Sequence, residues 1–370
     1  MKSKKSRYND VIVVSAVNLV DGGTFTILKN CLQQIVQENK YSNYKIIALV
    51  HSKRLFEACD KIEYMEFPLA KKNYVFRIFY EYIFFYFLSR QIRPRVWLSL
   101  HDITPTVYAE HRYVYMHNSS PLYKGKKGER LSSKFRFFTK FYKYVYRINV
   151  KRNDYVIVQQ AWFRKEIARI CRIPEKKIVV AYPEFNKTKF SSSFIKNMFT
   201  FPAFPREFKN FEVICKAADV LASDGSLPGD WTVRLTVDGS ENFYSKKIVD
   251  SYMHNPHIKF TGILNYVQMQ ALYNDAECLI FPSWLETWGL PISEFKTSGK
   301  KMILADLPYA HEAANGAESV AFFEPDSVEQ LAALMKTVIL GDDSGFSKNE
   351  VPLPEPPFCK SWKDLIGFIG

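Results

Sequence analysis

The segment from Ala276 to Lys300 constrains the fold of this 370-residue chain more than any other stretch. It opens with a short apolar run, Cys278 to Phe281, which predicts a buried strand. A Trp-Gly-Leu-Pro turn follows, and helical spacing then continues to about Gly299. Because proline is favoured in the first turn of a helix, Pro291 predicts a helix that begins at about Leu290. The free N–H groups of that helix start would point back toward the strand end, where they can bind a phosphate.

Two glutamates border the predicted helix start. Glu286 precedes it and Glu294 lies one turn inside the helix, so both carboxylates can line one anion pocket without lying on the anion. Backbone N–H groups for phosphate and carboxylates for hydroxyl groups suit a nucleotide-sugar. The segment FPSWLETWGLPISEF resembles the E-x7-E signature of retaining glycosyltransferases of family 4, which have the GT-B fold. The flanking strand, Pro-Ser, Gly-Leu-Pro and following glycine make a chance spacing of two glutamates the weaker interpretation.

The resemblance covers nearly the whole chain and implies an α/β architecture of two Rossmann-like, doubly wound domains that face a central cleft. A length of 370 residues also fits two domains rather than one core. We expect an acceptor-binding domain over residues 1–185 and a nucleotide-sugar-binding domain over residues 186–357. By the same resemblance, residues 358–370 form a terminal helix that crosses back to the first domain. Polar, turn-rich residues after Pro183 mark the first boundary.

Candidate site residues of the first domain follow its predicted strands, where parallel sheets bind ligands. Two glycines after the strand Asp10–Ala16 allow backbone to approach a ligand closely, although a tight turn explains them equally well. In the resembled family such a pair faces acceptor and donor phosphate, and a histidine in a segment like YVYMHNSSP faces the donor sugar. The acceptor or phosphate residues are therefore expected to be Gly22, Gly23, His101 and Asp102, with His117 as a catalytic residue.

Candidate residues of the second domain begin with Lys209, which lies just before a predicted helix over Phe211–Ala222, where a cation can reach a diphosphate. The resemblance implies that a lysine and an arginine hold the donor phosphates. Lys209 matches the lysine, whereas Pro202 or Ala203 occupies the arginine position and Arg206 substitutes for it. The expected catalytic residues are His117, Glu286 and Lys209. The expected donor-binding residues are Arg206, Lys209, Gly239, Gly262, Ile263, Glu286, Gly289, Leu290 and Glu294.

Charge is distributed unevenly along the chain. Residues 1–200 contain 37 Lys and Arg against 15 Asp and Glu, a net charge of +22, whereas residues 201–370 carry −9. A polyanion would be attracted to the first half alone, and anionic lipid, a pyrophosphate lipid and nucleic acid all satisfy that condition. Nucleic acid is disfavoured because no nucleic-acid-binding motif accompanies the charge.

Two aromatic segments of the first half indicate membrane contact. From residue 136 onward, cations recur every three or four positions beside aromatic residues, which predicts a cationic amphipathic helix in a lipid headgroup region. A solvated charged face over an aromatic core is the alternative. The segment Asn73–Arg93 is too interrupted to span a bilayer, because Arg77 and Glu81 leave an uncharged run far shorter than about 20 residues. It is expected to pack in the domain or to lie against a membrane. The cations of the first segment are Arg136, Lys140, Lys143, Arg147 and Lys151.

These features predict a metal-independent retaining hexosyltransferase. The donor is a UDP- or GDP-linked sugar and the acceptor a lipid-linked saccharide of polysaccharide or O-antigen-type biosynthesis. No metal or other cofactor is expected, since an Asp-x-Asp motif is lacking and the resembled family uses protein cations and a helix dipole. Six scattered cysteines without a C-x-x-C pair, and a lysine-rich start without a leader, indicate a cytoplasmic protein at the inner face of the cell membrane. A nucleotide-sugar 2-epimerase and a non-catalytic membrane-binding module remain as alternatives.

Overall fold

A computed structural model of the chain describes residues 8–123, 125, 133–185, 190 and 193–370. These residues form two compact α/β units. Of the described residues, the first unit comprises 8–123, 133–184 and 354–370, and the second comprises 125, 185, 190 and 193–353. The polar residues 186–189 and 191–192, and residues 126–132 of the basic stretch, lie outside the described part of the chain.

Strands with apolar runs form the centre of both units, and their burial on both faces explains why they read as nearly continuous Val, Ile and Leu segments. In chain order the strands are β1 (Asn9–Ala16), β2 (Lys45–Val50), β3 (Ile62–Glu66), β4 (Pro94–Ser99), β5 (His111–Met116), β6 (Tyr155–Val158), β7 (Ile178–Ala181), β8 (Met198–Phe201), β9 (Thr232–Leu235), β10 (Ile258–Phe260), β11 (Cys278–Phe281), β12 (Lys301–Ala305), β13 (Ala317–Phe323), β14 (Ser347–Asn349) and β15 (Phe358–Cys359).

Helices alternate with these strands, as expected for doubly wound sheets. In the described residues no helix is long and apolar enough to cross a membrane. In chain order the helices are α1 (Gly22–Gln37), α2 (Tyr74–Phe79), α3 (Phe85–Ile92), α4 (Ser133–Val145), α5 (Ala161–Cys171), α6 (Phe211–Ala222), α7 (Phe243–Tyr252), α8 (Tyr266–Asp275), α9 (Leu290–Lys296), α10 (Pro308–Ala313), α11 (Val328–Ile339) and α12 (Trp362–Phe368).

The order of the strands places a switch point in each sheet. The first sheet has the order β15-β7-β6-β5-β4-β1-β2-β3, and all its pairings are parallel. The chain moves outward from β1 to β3 and then returns to the other side of β1 at β4. The second sheet has the order β10-β9-β8-β11-β12-β13-β14, with only β14 antiparallel among these pairings. Here the reversal lies between β8 and β11, so ligands are expected beyond the carboxyl ends of those two strands.

The end of the chain belongs to the first unit. Strand β15 pairs with β7 in parallel, and α12 then packs into the core beside α1. Trp362 and Ile366 are almost completely buried there, and the Tyr41 hydroxyl donates a hydrogen bond to the carbonyl of Ile369. The final residues therefore contribute a strand and a hydrophobic helix face to the first sheet and its core.

Several elements agree with the sequence-based predictions and others do not. Strand β11, helix α6 and the start of α9 at Leu290 are confirmed. Strand β3 was missed because it is a half-exposed edge strand without an apolar run. The predicted continuation of the cationic helix beyond residue 145 is wrong: α4 ends at Val145, so Arg147 and Lys151 lie past its end.

Candidate functional site

The carboxyl ends of β8 and β11 bring a cation and a carboxylate together at the switch point of the second sheet. These strands are direct neighbours, with Cys278 paired to Phe199. The loop after β8 carries Lys209 and the loop after β11 carries Glu286, and the two side chains form an ion pair. Their side chains are only 17% and 14% exposed. The pair therefore lies in a partly desolvated pocket, where charge interactions are stronger than in water.

Lys209 is held in place by its loop. It ends a 3-10 turn over Glu207–Lys209, and Asn210 follows in the left-handed region with a φ of 59°. The side-chain amide of Asn210 donates to the carbonyl of Pro325 at 2.7 Å. The backbone N–H of Trp284 donates to the carbonyl of Phe208 at 2.8 Å, which ties the two loops together. The lysine is thus preorganised rather than free to sample solvent.

The turn before α9 requires glycine. Gly289 has a φ of 87°, and a Cβ added there would approach Ile292 Cδ1 at 3.1 Å. Pro291 occupies the second position of α9, where its missing N–H is not needed. Since α9 has only seven residues, its dipole is small, and Lys209 is the larger source of positive charge in this pocket.

Glu294 lies in α9 and accepts a hydrogen bond from a residue that the sequence analysis did not identify. The Tyr273 hydroxyl of α8 donates to Glu294 Oε2 at 2.9 Å. Burial raises the pKa of Glu294, and this hydrogen bond partly opposes the rise. Tyr273 and Glu294 are 21 residues apart, so no local pattern could have identified the partner.

The loops after β9 and β10 meet at two glycines. Gly262 has a φ of 70°, and a Cβ placed on it would lie 2.7 Å from Asp238 Oδ2. Gly239 follows Asp238 with a φ of 93°, and Ile263 is two-thirds exposed. The structure therefore places Gly239, Gly262 and Ile263 together at one sheet end. It does not place Arg206 in the ion pair, since that side chain is exposed with its guanidinium 5.3 Å from the Phe204 ring centroid.

In the first unit, the two predicted glycines start a helix. Gly22 and Gly23 are the first two residues of α1 and are exposed. Their position after β1 still places them at the switch point of the first sheet, next to the carboxyl end of β4.

His101, an expected acceptor or phosphate residue, has a completely buried side chain. Its Nε2 lies 3.2 Å from Glu81 Oε1 and 3.2 Å from the Ser15 hydroxyl. The Arg77 guanidinium donates to the His101 carbonyl at 2.8 Å. Burial lowers the pKa of His101 well below its usual value and raises the pKa of Glu81 to about 8. Burial therefore disfavours the charged form of both side chains.

Asp102 positions the loop that carries His117. It adopts a left-handed φ of 70° and is buried. Its Oδ1 accepts the backbone N–H groups of His117 at 2.7 Å and Asn118 at 2.9 Å. Its Oδ2 lies 3.8 Å from His117 Nε2. The Asp102 carboxylate thus holds the loop backbone at His117 and Asn118 and also lies close to the His117 ring.

Replacing Asp102 tests this positioning role. In Asp102→Ala the two N–H groups lose their acceptor, and we expect a loss of about 1–3 kcal/mol in the free energy of unfolding, together with reduced kcat. Asp102→Asn keeps one oxygen for both N–H groups and tolerates the left-handed backbone, so most of the stability should return. Urea denaturation of both variants and the wild type measures the difference. Equal stability of the Ala and Asn variants would contradict the role.

The buried Glu81 predicts a pH dependence of stability. Its folded-state pKa of about 8 lies above the usual 4.5, so the unfolded state loses its proton first and stability falls as pH rises between these values. Arg77, His101 and Tyr82 are the titratable or charged groups that interact with it. In Glu81→Gln this fall in stability should disappear. The free energy of unfolding of the variant should therefore rise relative to that of wild type by up to about 1.4 kcal/mol per pH unit. Thermal melts of both proteins from pH 5 to 9 give the Tm as a function of pH. If the Tm of wild type and that of Glu81→Gln change in parallel, the prediction is refuted.

Comparison with known proteins finds a family similarity that covers most of the second unit and strand β7 of the first. Residues 172–349 match the model of the family described as glycosyl transferases group 1. A curated relative, the O-antigen chain mannosyltransferase RfbU of Salmonella typhimurium, is 24% identical over 203 residues. The match covers 54% of this chain and 54% of the relative, so the chain spans about half the length of the curated relative it matches.

Solved structures resemble the whole chain. Sucrose-phosphate synthase from Thermosynechococcus elongatus has a TM-score of 0.64 at 11% sequence identity, covering 92% of this chain and 91% of the other. HepE from Anabaena, solved in complex with UDP-glucose, has a TM-score of 0.61 at 13% identity, covering 97% and 95%. At these identities the likeness establishes a shared fold, the one with two largely parallel α/β sheets described above.

Proposed function

We propose, on the premise that this chain belongs to the group 1 glycosyl transferases and has the GT-B fold, that it moves a sugar from a nucleotide-sugar donor to a saccharide acceptor. The observation that carries the proposal is the ion pair of Lys209 and Glu286 at the switch point of the second sheet. A cation there suits a diphosphate, and a carboxylate beside it suits sugar hydroxyls. HepE, a protein of the same fold, was solved with UDP-glucose, which supports a nucleotide-sugar donor.

We assign the parts of a UDP- or GDP-linked donor to the ends of the second sheet. Lys209 contacts the diphosphate, with Arg206 and the N–H groups at Gly289 and Leu290 as further donors. Glu294 accepts hydrogen bonds from the ribose hydroxyls, because its carboxylate is already oriented by Tyr273. The base lies near Gly239, Gly262 and Ile263. For His117 we propose the role implied by the family resemblance, contact with the transferred sugar.

The proposed reaction retains the anomeric configuration. The bond between the anomeric carbon and the diphosphate oxygen breaks, and the bonding electrons remain on that oxygen. Lys209 stabilises the resulting negative charge, and Glu286 contacts the oxocarbenium-like sugar. The acceptor hydroxyl then attacks the anomeric carbon from the face that the diphosphate left, and its proton passes to a diphosphate oxygen. Protein cations supply the charge stabilisation, so we propose that no metal ion is needed.

The proposed acceptor is a lipid-linked saccharide of O-antigen-type or other polysaccharide biosynthesis. Two observations support it: the similarity to an O-antigen chain mannosyltransferase and the charge of +22 on residues 1–200. A pyrophosphate-linked lipid carries the negative charge that this half attracts. We accordingly propose that the protein works in the cytoplasm at the inner face of the cell membrane.

The test is a transfer assay with radiolabelled UDP- and GDP-sugars, membrane lipid extract and purified protein, with and without EDTA. We expect label in the lipid fraction in both conditions, and NMR of the product should show the anomeric configuration of the donor. Inversion, or dependence on a metal, would contradict that part of the mechanism. Conversion of the donor sugar without acceptor would instead support the 2-epimerase alternative.

A further inference from the structure

The segment 74–92, here called the aromatic helix, buries the charged residues of its middle part, Arg77 and Glu81, whereas Arg90 and Gln91 near its end are exposed. It comprises α2, a π-helical turn over Tyr80–Phe84 and α3. Every fourth residue faces the protein, and this buried row is Arg77, Glu81, Phe85 and Ser89. The inner polar groups are used within the unit: Arg77 donates to the His101 carbonyl at 2.8 Å and the Ser89 hydroxyl accepts the N–H of Tyr108 at 2.8 Å. The charges of Arg77 and Glu81, in the middle of this segment, are therefore absent from its outer face.

The outer face of the aromatic helix is apolar and exposed. Val75 has 74% of its surface accessible and Phe87 has 65%. In an ordinary surface helix the apolar row faces the core and the polar row faces solvent, so this helix has the inverse arrangement. A contiguous exposed apolar row of this length marks a contact surface. The exposed apolar residues are Tyr74, Val75, Ile78, Phe79, Ile83, Phe84 and Phe87.

Helix α4 extends this surface and adds positive charge. It is adjacent, since Arg77 donates to the Tyr142 hydroxyl at 3.4 Å. Phe137 and Tyr144 are 70% and 64% exposed, and Arg136 and Lys140 are exposed beside them. The sequence of α4 contains no acidic residue, and the only one in the aromatic helix, Glu81, is buried. Lys71, which pairs with Asp21, and Lys72 precede the aromatic helix, and Arg90 is an exposed cation within its last turn.

We propose that the outer faces of the aromatic helix and α4 form a docking surface that inserts shallowly into an anionic lipid bilayer. This deepens the proposed function, on whose lipid-linked acceptor it rests. The apolar row lies at the boundary of headgroups and acyl chains, and the flanking cations contact lipid phosphates. A second copy of the chain is a poorer occupant, because symmetric pairing of this face would bring like charges together.

The test compares a double variant with a matched control in the full-length chain. Val75→Gln/Phe87→Gln removes the two most exposed apolar side chains of the aromatic helix, and Val220→Gln/Phe243→Gln changes two exposed residues of the same types in the second unit. The affinity for vesicles of phosphatidylcholine and phosphatidylglycerol, measured by cosedimentation, should fall at least about tenfold in the first variant only. Binding of wild type to pure phosphatidylcholine vesicles should be weaker and binding to the anionic vesicles should fall with salt.

Other outcomes overturn the proposal. Wild-type protein that stays in solution with anionic vesicles, or equal binding by both variants, would do so. A wild-type dimer in analytical ultracentrifugation that Val75→Gln/Phe87→Gln dissociates would assign the face to self-association instead. Stabilisation by nucleotide-sugars is measured separately on the same variants and should be unchanged. Membrane binding therefore tests the docking surface, and nucleotide binding tests the proposed function. A failure of one can be distinguished from a failure of the other.

Discussion

Lys209→Ala is expected to lower kcat about 100- to 1000-fold, since it removes the charge that we propose stabilises the departing diphosphate. The structure holds this amine in a partly buried pocket by the loop contacts of Asn210 and Trp284, so solvent or a neighbouring cation cannot readily replace it. Arg206 is exposed and lies over Phe204, which leaves it a smaller role. Initial rates of transfer at saturating donor, with the labelled product quantified, measure the effect.

The matched control is Lys216→Ala. Lys216 is an exposed lysine on α6, the helix that follows Lys209, so the change of residue type is the same without loss of a pocket charge. Its rate should remain within about twofold of wild type, because exposed substitutions away from a site have small effects. Near-wild-type turnover of Lys209→Ala would contradict the proposed binding of the diphosphate by the loop after β8. Circular dichroism should show that both variants are folded.

Glu286→Gln is expected to abolish most transfer while leaving nucleotide affinity nearly unchanged. The amide fills the same space but cannot carry the charge that pairs with Lys209 and that we propose contacts the sugar. Glu294→Ala should instead weaken the binding of both nucleotide and nucleotide-sugar, because we assign that carboxylate to the ribose. Steady-state kinetics with isothermal titration of the free nucleotide separates the two effects. If Glu286→Gln weakens nucleotide binding as much as Glu294→Ala does, the division of roles between the two glutamates is wrong.

The sequence predicted local features of the second unit well because their causes are local. Pro291 and the preceding glycine fix the start of α9, and the apolar run of β11 needs no partner to be recognised. The ion pair of Lys209 with Glu286 joins residues 77 positions apart. It depends on β8 and β11 being neighbours, which only the strand order determines.

The first unit shows where pattern reasoning stops. Arg77 and Glu81 look like interruptions of an apolar segment, because a hydropathy pattern cannot distinguish an exposed charge from a buried one that has a partner. Both charged side chains contact His101, which lies two residues past the end of β4: Arg77 donates to its carbonyl, and Glu81 lies 3.2 Å from its ring. Asp102 was placed near a ligand by its position after β4, whereas its backbone contacts show a positioning role.

The most direct test of the central claim is a thermal-shift screen of the purified protein against UDP, GDP, ADP and CMP and their common sugar conjugates, without added metal. It is repeated on Glu294→Ala. The proposed function predicts that one nucleotide and its sugar conjugates raise the Tm of wild type and leave the Tm of Glu294→Ala unchanged, since a ligand stabilises only a folded state that binds it. No stabilisation by any of them, or equal stabilisation of the variant, would contradict a nucleotide-sugar site at the ends of β8 and β11.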